Sequence, residues 1–361
     1  MPPPRRGAKS ALWNFEIPPM NDSNAPVRIG MVGLGRMGRR HAENLAVRVP
    51  GAVIVAACSP VADELAWARD TLGVPNVFTE YDALLGNREV DAVWIVTPNS
   101  LHPVQIINAL RAGKHVFCEK PLSLELAECL AVEAEAAKYP HLKVMIGFVR
   151  RFDASYQDAQ HKVTSGAIGK PFLVRSETCD MNDPSGFFVR FAPMSGGIFS
   201  DMSVHDIDLA RWLLGSPKPL RVFATGTIAL HEGLGACGDV DNGLALCEFA
   251  EGGTAAFYAS RTMAHGHETA TEIIGTAGRL TVGRDGRISQ VVIADAHGVR
   301  TETTPTFYER FADAFLREAI HFIDCVRQDR MPSLSLHDAT EATRIAIALR
   351  TSLQEKRVVE L

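Results

Sequence analysis

Gly33-Leu34-Gly35-Arg36-Met37-Gly38 stands directly after a short apolar run, Val27–Val32, and opens a helix-patterned stretch, Met37–Val49. This placement restricts the fold more than any other feature, because G-x-G-x-x-G carries meaning only between a strand and a helix. Gly33 permits the tight turn, Gly35 lets the backbone approach a pyrophosphate, and Gly38 allows close helix–strand packing. The helix start then offers free N–H groups and a partial positive charge to an anion. The loop therefore predicts a doubly wound, Rossmann-type parallel sheet that holds a dinucleotide at 33–38.

The following sequence keeps that rhythm. Ala52–Cys58, Ala92–Val96 and His115–Cys118 read as strands, with Lys143–Phe148 as the sixth of the sheet. Ala62–Leu72, His102–Arg111 and Leu124–Lys138 read as helices between them. Continuous apolar strands alternating with helices imply a parallel sheet covered on both faces. After Arg151 the pattern changes. Asp153–Ser165 looks helical, and Phe172–Thr178, Arg221–Ala229, Gly243–Phe249, Thr254–Arg261, Thr269–Gly275 and Ile288–Ala294 look like strands with glycine-rich turns. One helix near Ser200–Leu214 interrupts them, and two, near Tyr308–Gln328 and Leu336–Lys356, close the chain. The expected fold is α/β, with an N-terminal Rossmann domain at 27–150. A C-terminal α+β domain at 151–361 carries a large, mostly antiparallel sheet.

A chain of 361 residues suits two domains, and 46% hydrophobic with 22% charged residues is ordinary globular composition. The formal charge of −5 and the absence of a Lys/Arg run argue against a nucleic-acid partner. No apolar run approaches the roughly 18 residues of a membrane span. Seven scattered cysteines without a C-x-x-C pair suit a reducing cytoplasm and neither a disulfide framework nor a zinc knuckle. Residues 1–26 are Pro-rich and basic, lack the apolar core of a signal peptide, and read as a flexible extension whose first 19 residues are dispensable.

Two further segments carry chemistry. In an NAD-binding sheet the second strand commonly ends in a carboxylate for the adenosine ribose. Here it ends Cys58-Ser59-Pro60, so Ser59 is the candidate, and with no adjacent base the preference leans to NAD, with NADP open. Strand five ends Cys118-Glu119-Lys120-Pro121, where Lys120 can project into the crevice that strand ends line. In Gly196–Asp208, helical spacing would put Asp201, His205 and Asp208 on one face, at i, i+4 and i+7. A carboxylate one turn from an imidazole can hold its tautomer, and histidine is suited to accept a hydroxyl proton near neutral pH. The same three with His265 or His267 form no tight ligand motif, so no metal is expected.

Together these residues resemble the Gfo/Idh/MocA family of sugar and polyol dehydrogenases. The matching pieces run from Val27 onward: VGLGRMGRRH, TPNSLH at Thr97–His102, AGKHVFCEKPLS, GFVRRFD at Gly147–Asp153 and GGIFSDMSVHDIDLARWLLG, the last two most like the inositol dehydrogenase branch. The resemblance implies catalytic roles for Lys120, Asp201 and His205, and places Arg36, Met37, Thr97, Pro98, Asn99, His102 and Glu119 near the cofactor. It puts Arg150, Asp183, Asp208 and His267 on the substrate side. It also implies oxidation of a secondary hydroxyl on a cyclic polyol or pyranose, and a homotetramer built on the C-terminal sheet. The branch often has an aromatic-Gly-Tyr stretch where this chain has His265-Gly266-His267-Glu268, and His-Arg-Asn-Pro where it has Met181-Asn182-Asp183-Pro184. Both departures lie where substrate is read, which leaves the inositol isomer, or an aldose or dihydrodiol, open. A nucleotide-binding sensor without catalysis would be favoured by loss of Lys120 or His205, and both are present.

Overall fold

The structure, a computed structural model, describes residues 25–284 and 286–361. The extension read at 1–26 lies outside the described residues except for Ala25 and Pro26. The first half runs β1 (Val27–Val32), α1 (Arg36–Val47), β2 (Ala52–Cys58), α2 (Ala62–Leu72), β3 (Asn76–Phe78), α3 (Tyr81–Leu85), β4 (Ala92–Ile95), α4 (His102–Arg111), β5 (His115–Glu119), α5 (Leu126–Ala136) and β6 (Val144–Gly147). All pairings in this sheet are parallel and the order is β3-β2-β1-β4-β5-β6. That is the dinucleotide-binding order. Register pairs Val32 with Cys58 and with Ile95, and Ile95 with Cys118. The loops after β1, β2, β4 and β5 therefore emerge along one edge. β3 and α3 escape sequence reading because a three-residue strand and a five-residue helix are too short to show a period.

The second half runs α6 (Ala154–Thr164), β7 (Pro171–Met181), α7 (Phe187–Ser195), α8 (Val204–Leu213), β8 (Pro219–Thr227), β9 (Asn242–Phe249), β10 (Thr254–Met263), β11 (Glu268–Gly275), β12 (Gly278–Val282), β13 (Val292–Asp295), β14 (Gly298–Thr301), α9 (Phe307–Arg327), α10 (Leu336–Glu355) and β15 (Val359–Glu360). Seven strands form a sheet in the order β12-β11-β7-β10-β9-β8-β15, antiparallel except where β10 meets β7. Two expectations change. The strand expected at Ile288–Ala294 is β13, which leaves the large sheet and, among the described residues, pairs only with β14. The expected single helix before β8 is two, because α7 precedes α8; Gly186, Gly196 and an internal Pro193 obscure α7 in the sequence.

The closing helices bind the halves together. Trp94 of β4 stacks on Phe117 of β5 at 3.8 Å, and Phe322 of α9 meets both edge-on at 5.6 and 5.9 Å. These large, fully buried rings fasten the parallel sheet to α9 of the second half, since aromatic pairs add to the energy of area burial.

Candidate active site

Each glycine of the loop has a distinct reason. Gly33 has φ +89°, and a Cβ there would stand 2.4 Å from the carbonyl oxygen of Val96. A Cβ on Gly38 would meet the carbonyl oxygen of Gly33 at 2.1 Å. A Cβ on Gly35 would meet only Glu64 Oε1, at 3.9 Å, among the described residues; Gly35 is the N-cap of α1, and no side chain caps that helix. Unfilled N–H groups over an open floor fit a pyrophosphate. Arg36 and Met37 follow, Arg36 exposed with its guanidinium 5.8 Å from the Phe307 ring.

Along the same edge, Lys120 follows β5. Its Nζ donates to the main-chain oxygen of Asp201 at 2.8 Å and lies 3.7 Å from Asp201 Oδ1. Asp201 Oδ2 is 3.4 Å from Nη2 of Arg261, whose Nη1 donates to Asp239 at 2.8 Å. His205 is half-buried, and its enclosed Nδ1 has no hydrogen-bond partner. Burial, then the charges of Lys120, Arg150 and His267, push its pKa well below the ordinary histidine value, so the ring is neutral near neutral pH. His267 is buried, with Nδ1 2.8 Å from Asp180 Oδ1 and Nε2 unpartnered. Lys120 and Asp201 thus meet on the strand-end edge that also carries the glycine loop, and the neutral ring of His205, 6.0 Å from that of Phe148 just after β6, lies close enough to feel the Lys120 charge.

Family models match twice: an oxidoreductase family with an NAD-binding Rossmann fold over residues 27–148, and the Gfo/Idh/MocA C-terminal domain over 156–281. The chain is 38% identical to scyllo-inositol 2-dehydrogenase (NAD(+)) of Bacillus subtilis, over 93% of this chain and 96% of that one. It is 35% identical to myo-inositol 2-dehydrogenase of Thermotoga maritima, over 93% and 98%. Among solved structures it resembles scyllo-inositol dehydrogenase of Lactobacillus casei with bound NAD(H) and scyllo-inositol. The TM-score there is 0.89 at 38% identity, covering 93% of this chain and 99% of the other. The chain belongs to the Gfo/Idh/MocA oxidoreductase family. It is an NAD-dependent oxidoreductase.

Within that family frame, several residues read from the sequence do other work here. Asp201 does not hold His205: its carboxylate lies between Lys120 and Arg261. Phe199–Ser203 is wound as a π-helix, so counting at 3.6 residues per turn misplaces one residue against the other. Asp208, three residues beyond His205 in α8, is committed elsewhere. It is buried, with both oxygens bonded to Arg151 at 2.6 and 2.8 Å. Arg150 is likewise buried and committed, to Asp206 and to Thr178, each at 2.8 Å. Asp206 also accepts from Ser176 and Thr178. Both arginines are held by carboxylates that the sequence alone could not assign to them. Asp183 closes a turn by accepting from the N–H of Ser185 at 2.8 Å.

The cofactor candidates separate in the same way. His102 is buried, and its ring nitrogens face the carbonyl oxygens of Pro121 at 2.8 Å and Thr97 at 2.9 Å. It ties the turn after β4 to the turn after β5 and acts on the site through them. Thr97 donates to Gln105 at 2.5 Å, Pro98 is exposed and Asn99 half-buried on that turn. Glu119 holds His41 of α1 at 2.8 Å and accepts from the N–H of Lys120 at 3.1 Å. Ser59 is buried, and its hydroxyl is donated to Glu64 at 2.5 Å, so it does not face a ribose. Arg261 escaped notice, although β10 showed it: Ala255, Phe257 and Ala259 alternate inward, and Arg261 is the next position in that buried register.

Proposed function

We propose that this chain oxidises a secondary ring hydroxyl of an inositol-type cyclic polyol to the ketone. The carrying observation is the Lys120–Asp201 pair on the strand-end edge that carries the glycine loop, with His205 four residues beyond Asp201 at the start of α8. A bound nicotinamide would supply the acceptor for the hydride of the carbinol carbon. His205 takes the hydroxyl proton, since a neutral imidazole offers a lone pair. Lys120 carries positive charge to the same oxygen as the C=O bond forms. Asp201, anchored by Arg261, fixes the Lys120 ammonium at the crevice. His267, with an unpartnered Nε2 beside this group, supplies a hydrogen bond to a second ring hydroxyl. Relatives named for scyllo- and for myo-inositol support the substrate class. The deciding experiment follows nicotinamide reduction over inositol isomers, aldoses and dihydrodiols. Turnover on aldoses alone would overturn the inositol reading.

The working unit we propose is a homotetramer, with 27–150 holding the cofactor and 151–361 the substrate and the subunit contacts. Phe223, Leu244 and Leu246 point outward from β8 and β9, and a concavity of about 490 Å³ lies on this open face. An uncovered apolar sheet face is an association surface. We place the protein in the cytoplasm, because all seven cysteines are free and because a reducing compartment keeps thiols so.

A further inference from the structure

The second strand of this sheet ends without the carboxylate that an NAD site ordinarily places there, yet a carboxylate reaches the same spot from the next helix. Ser59 accepts from the N–H of Val61 at 3.1 Å and donates to Glu64 Oε2 at 2.5 Å. Its side chain is turned inward, 1% exposed. Glu64 sits in the first turn of α2, half-buried. Its other oxygen, Oε1, lies 3.9 Å from where a Cβ of Gly35 would be and, among the described residues, is the one non-neighbouring atom within 4 Å of that point. One oxygen is fixed by Ser59, and the other borders the open floor of the glycine loop.

That border is where the adenosine ribose must pass. A pyrophosphate over Gly35 leads its adenosine half toward the end of β2, because the crevice lies outside the carboxyl ends of the strands. Glu64 makes no ion pair among the described residues, so its charge is not neutralised by a protein cation. The nearby Arg39 is engaged on the indole of Trp67, 4.8 Å from the ring centroid, one turn further along α2. A carboxylate accepts hydrogen bonds from two ribose hydroxyls and repels a 2′-phosphate.

We propose that Glu64 is the residue that binds the adenosine ribose hydroxyls and excludes a 2′-phosphate, with Ser59 as its positioning residue. NAD selectivity in this chain then resides in the first turn of α2 and not at the end of β2. The proposal rests on the dinucleotide reading of the glycine loop.

The test is equilibrium binding of NADH and NADPH, followed by fluorescence titration of the full chain, with thermal midpoints measured in parallel. Wild type should bind NADH at least about tenfold tighter than NADPH. Glu64→Gln can still accept from Ser59, but removes the charge and turns the acceptor facing the loop into an amide donor. It should weaken NADH by about ten- to a hundredfold, the worth of a charged hydrogen bond, and should bring the two affinities together. Glu64→Asp, which keeps the charge, should restore most of the preference, and Ser59→Ala should lose part of it. Asp63→Asn, in the same helical turn, should leave the ratio unchanged. An unchanged NADH/NADPH ratio in Glu64→Gln with a lowered midpoint would make Glu64 a helix-start brace and overturn the proposal. So would a wild type that favours NADPH. If wild type bound neither nucleotide, the glycine-loop reading itself would fail. If Glu64→Gln did not fold, a wild-type ratio in Ser59→Ala and Glu64→Ala together would also overturn it.

Discussion

The ammonium of Lys120 donates to the main-chain oxygen of Asp201 at 2.8 Å and stands 3.7 Å from its carboxylate, joining residues 81 positions apart. Lys120 leaves the carboxyl end of β5 and Asp201 sits in the π-wound turn before α8, so the pair spans the crevice between the two sheets. Both side chains are roughly a fifth exposed, at 21% and 23%. They are accessible to a substrate yet largely withdrawn from bulk water, where a fixed charge acts more strongly on a developing alkoxide.

His205→Ala should retain NADH binding and lose about 10²–10⁴ in kcat, the usual worth of a positioned general base. Lys120→Ala should behave similarly with weaker substrate binding. Because burial and neighbouring cations lower the His205 pKa, the acidic limb of kcat should fall below the ordinary histidine range and vanish in His205→Ala. Retention of more than about a tenth of kcat in His205→Ala would transfer the base role to Lys120.

Arg261 is fully buried between Asp201 and Asp239. Arg261→Met leaves Asp239 without its cation and Asp201 with Lys120 alone, and should cost about 3–5 kcal/mol, the usual effect of breaking a buried pair. Arg261→Lys returns the charge without the planar fork. It should recover much of the thermal midpoint while kcat stays about tenfold low and NADH affinity stays unchanged. Equal recovery of stability and kcat would show that Arg261 only supports the fold.

The parts legible in sequence are those where backbone chemistry leaves no alternative. Gly33 and Gly38 announce themselves because a Cβ would strike a carbonyl oxygen, and the strand–loop–helix order follows from that. Lys120 was legible from a strand end and Asp201 and His205 from helical spacing, with their roles implied by family resemblance, but the Lys120–Asp201 contact is tertiary and no local period encodes it. Asp201 misled because a helix face was counted through a segment that is π-wound, and Asp208 because its partner, Arg151, lies 57 residues away. Arg150 misled because its partner, Asp206, lies 56 residues away. Glu64 was passed over because the expected carboxylate belongs at a strand end, and here it arrives one turn into a helix.

The outward row Phe223, Leu244 and Leu246 makes assembly testable. Light scattering should report a tetramer at micromolar concentration. Leu244→Glu with Leu246→Glu should give a smaller species, because like charges would then face each other across a symmetric contact. A wild-type monomer, or a variant tetramer, would remove this face from the assembly.

Glu318 of α9 is fully enclosed, and neither carboxyl oxygen has a hydrogen-bond partner. Burial, with the charge of Glu119 adding to it, raises its pKa well above the ordinary value of 4.5. The folded chain therefore holds a proton that the unfolded chain releases above about pH 4.5. With more protons bound folded than unfolded, stability falls as pH rises through that window. The loss continues until pH passes the folded pKa, at up to about 1.4 kcal/mol per pH unit for one proton. The thermal midpoint of wild type should accordingly decline between about pH 5 and 8 relative to Glu318→Gln, which cannot titrate. Glu318→Leu, which removes an unpaired polar group, should be at least as stable as wild type at pH 8. His102 and His205, with lowered pKa values, act in the opposite sense below pH 6.5 and are common to all three proteins, so the difference curves isolate Glu318. Parallel wild-type and Glu318→Gln curves across pH 5–8 would mean that Glu318 ionises at its ordinary pKa in the folded chain.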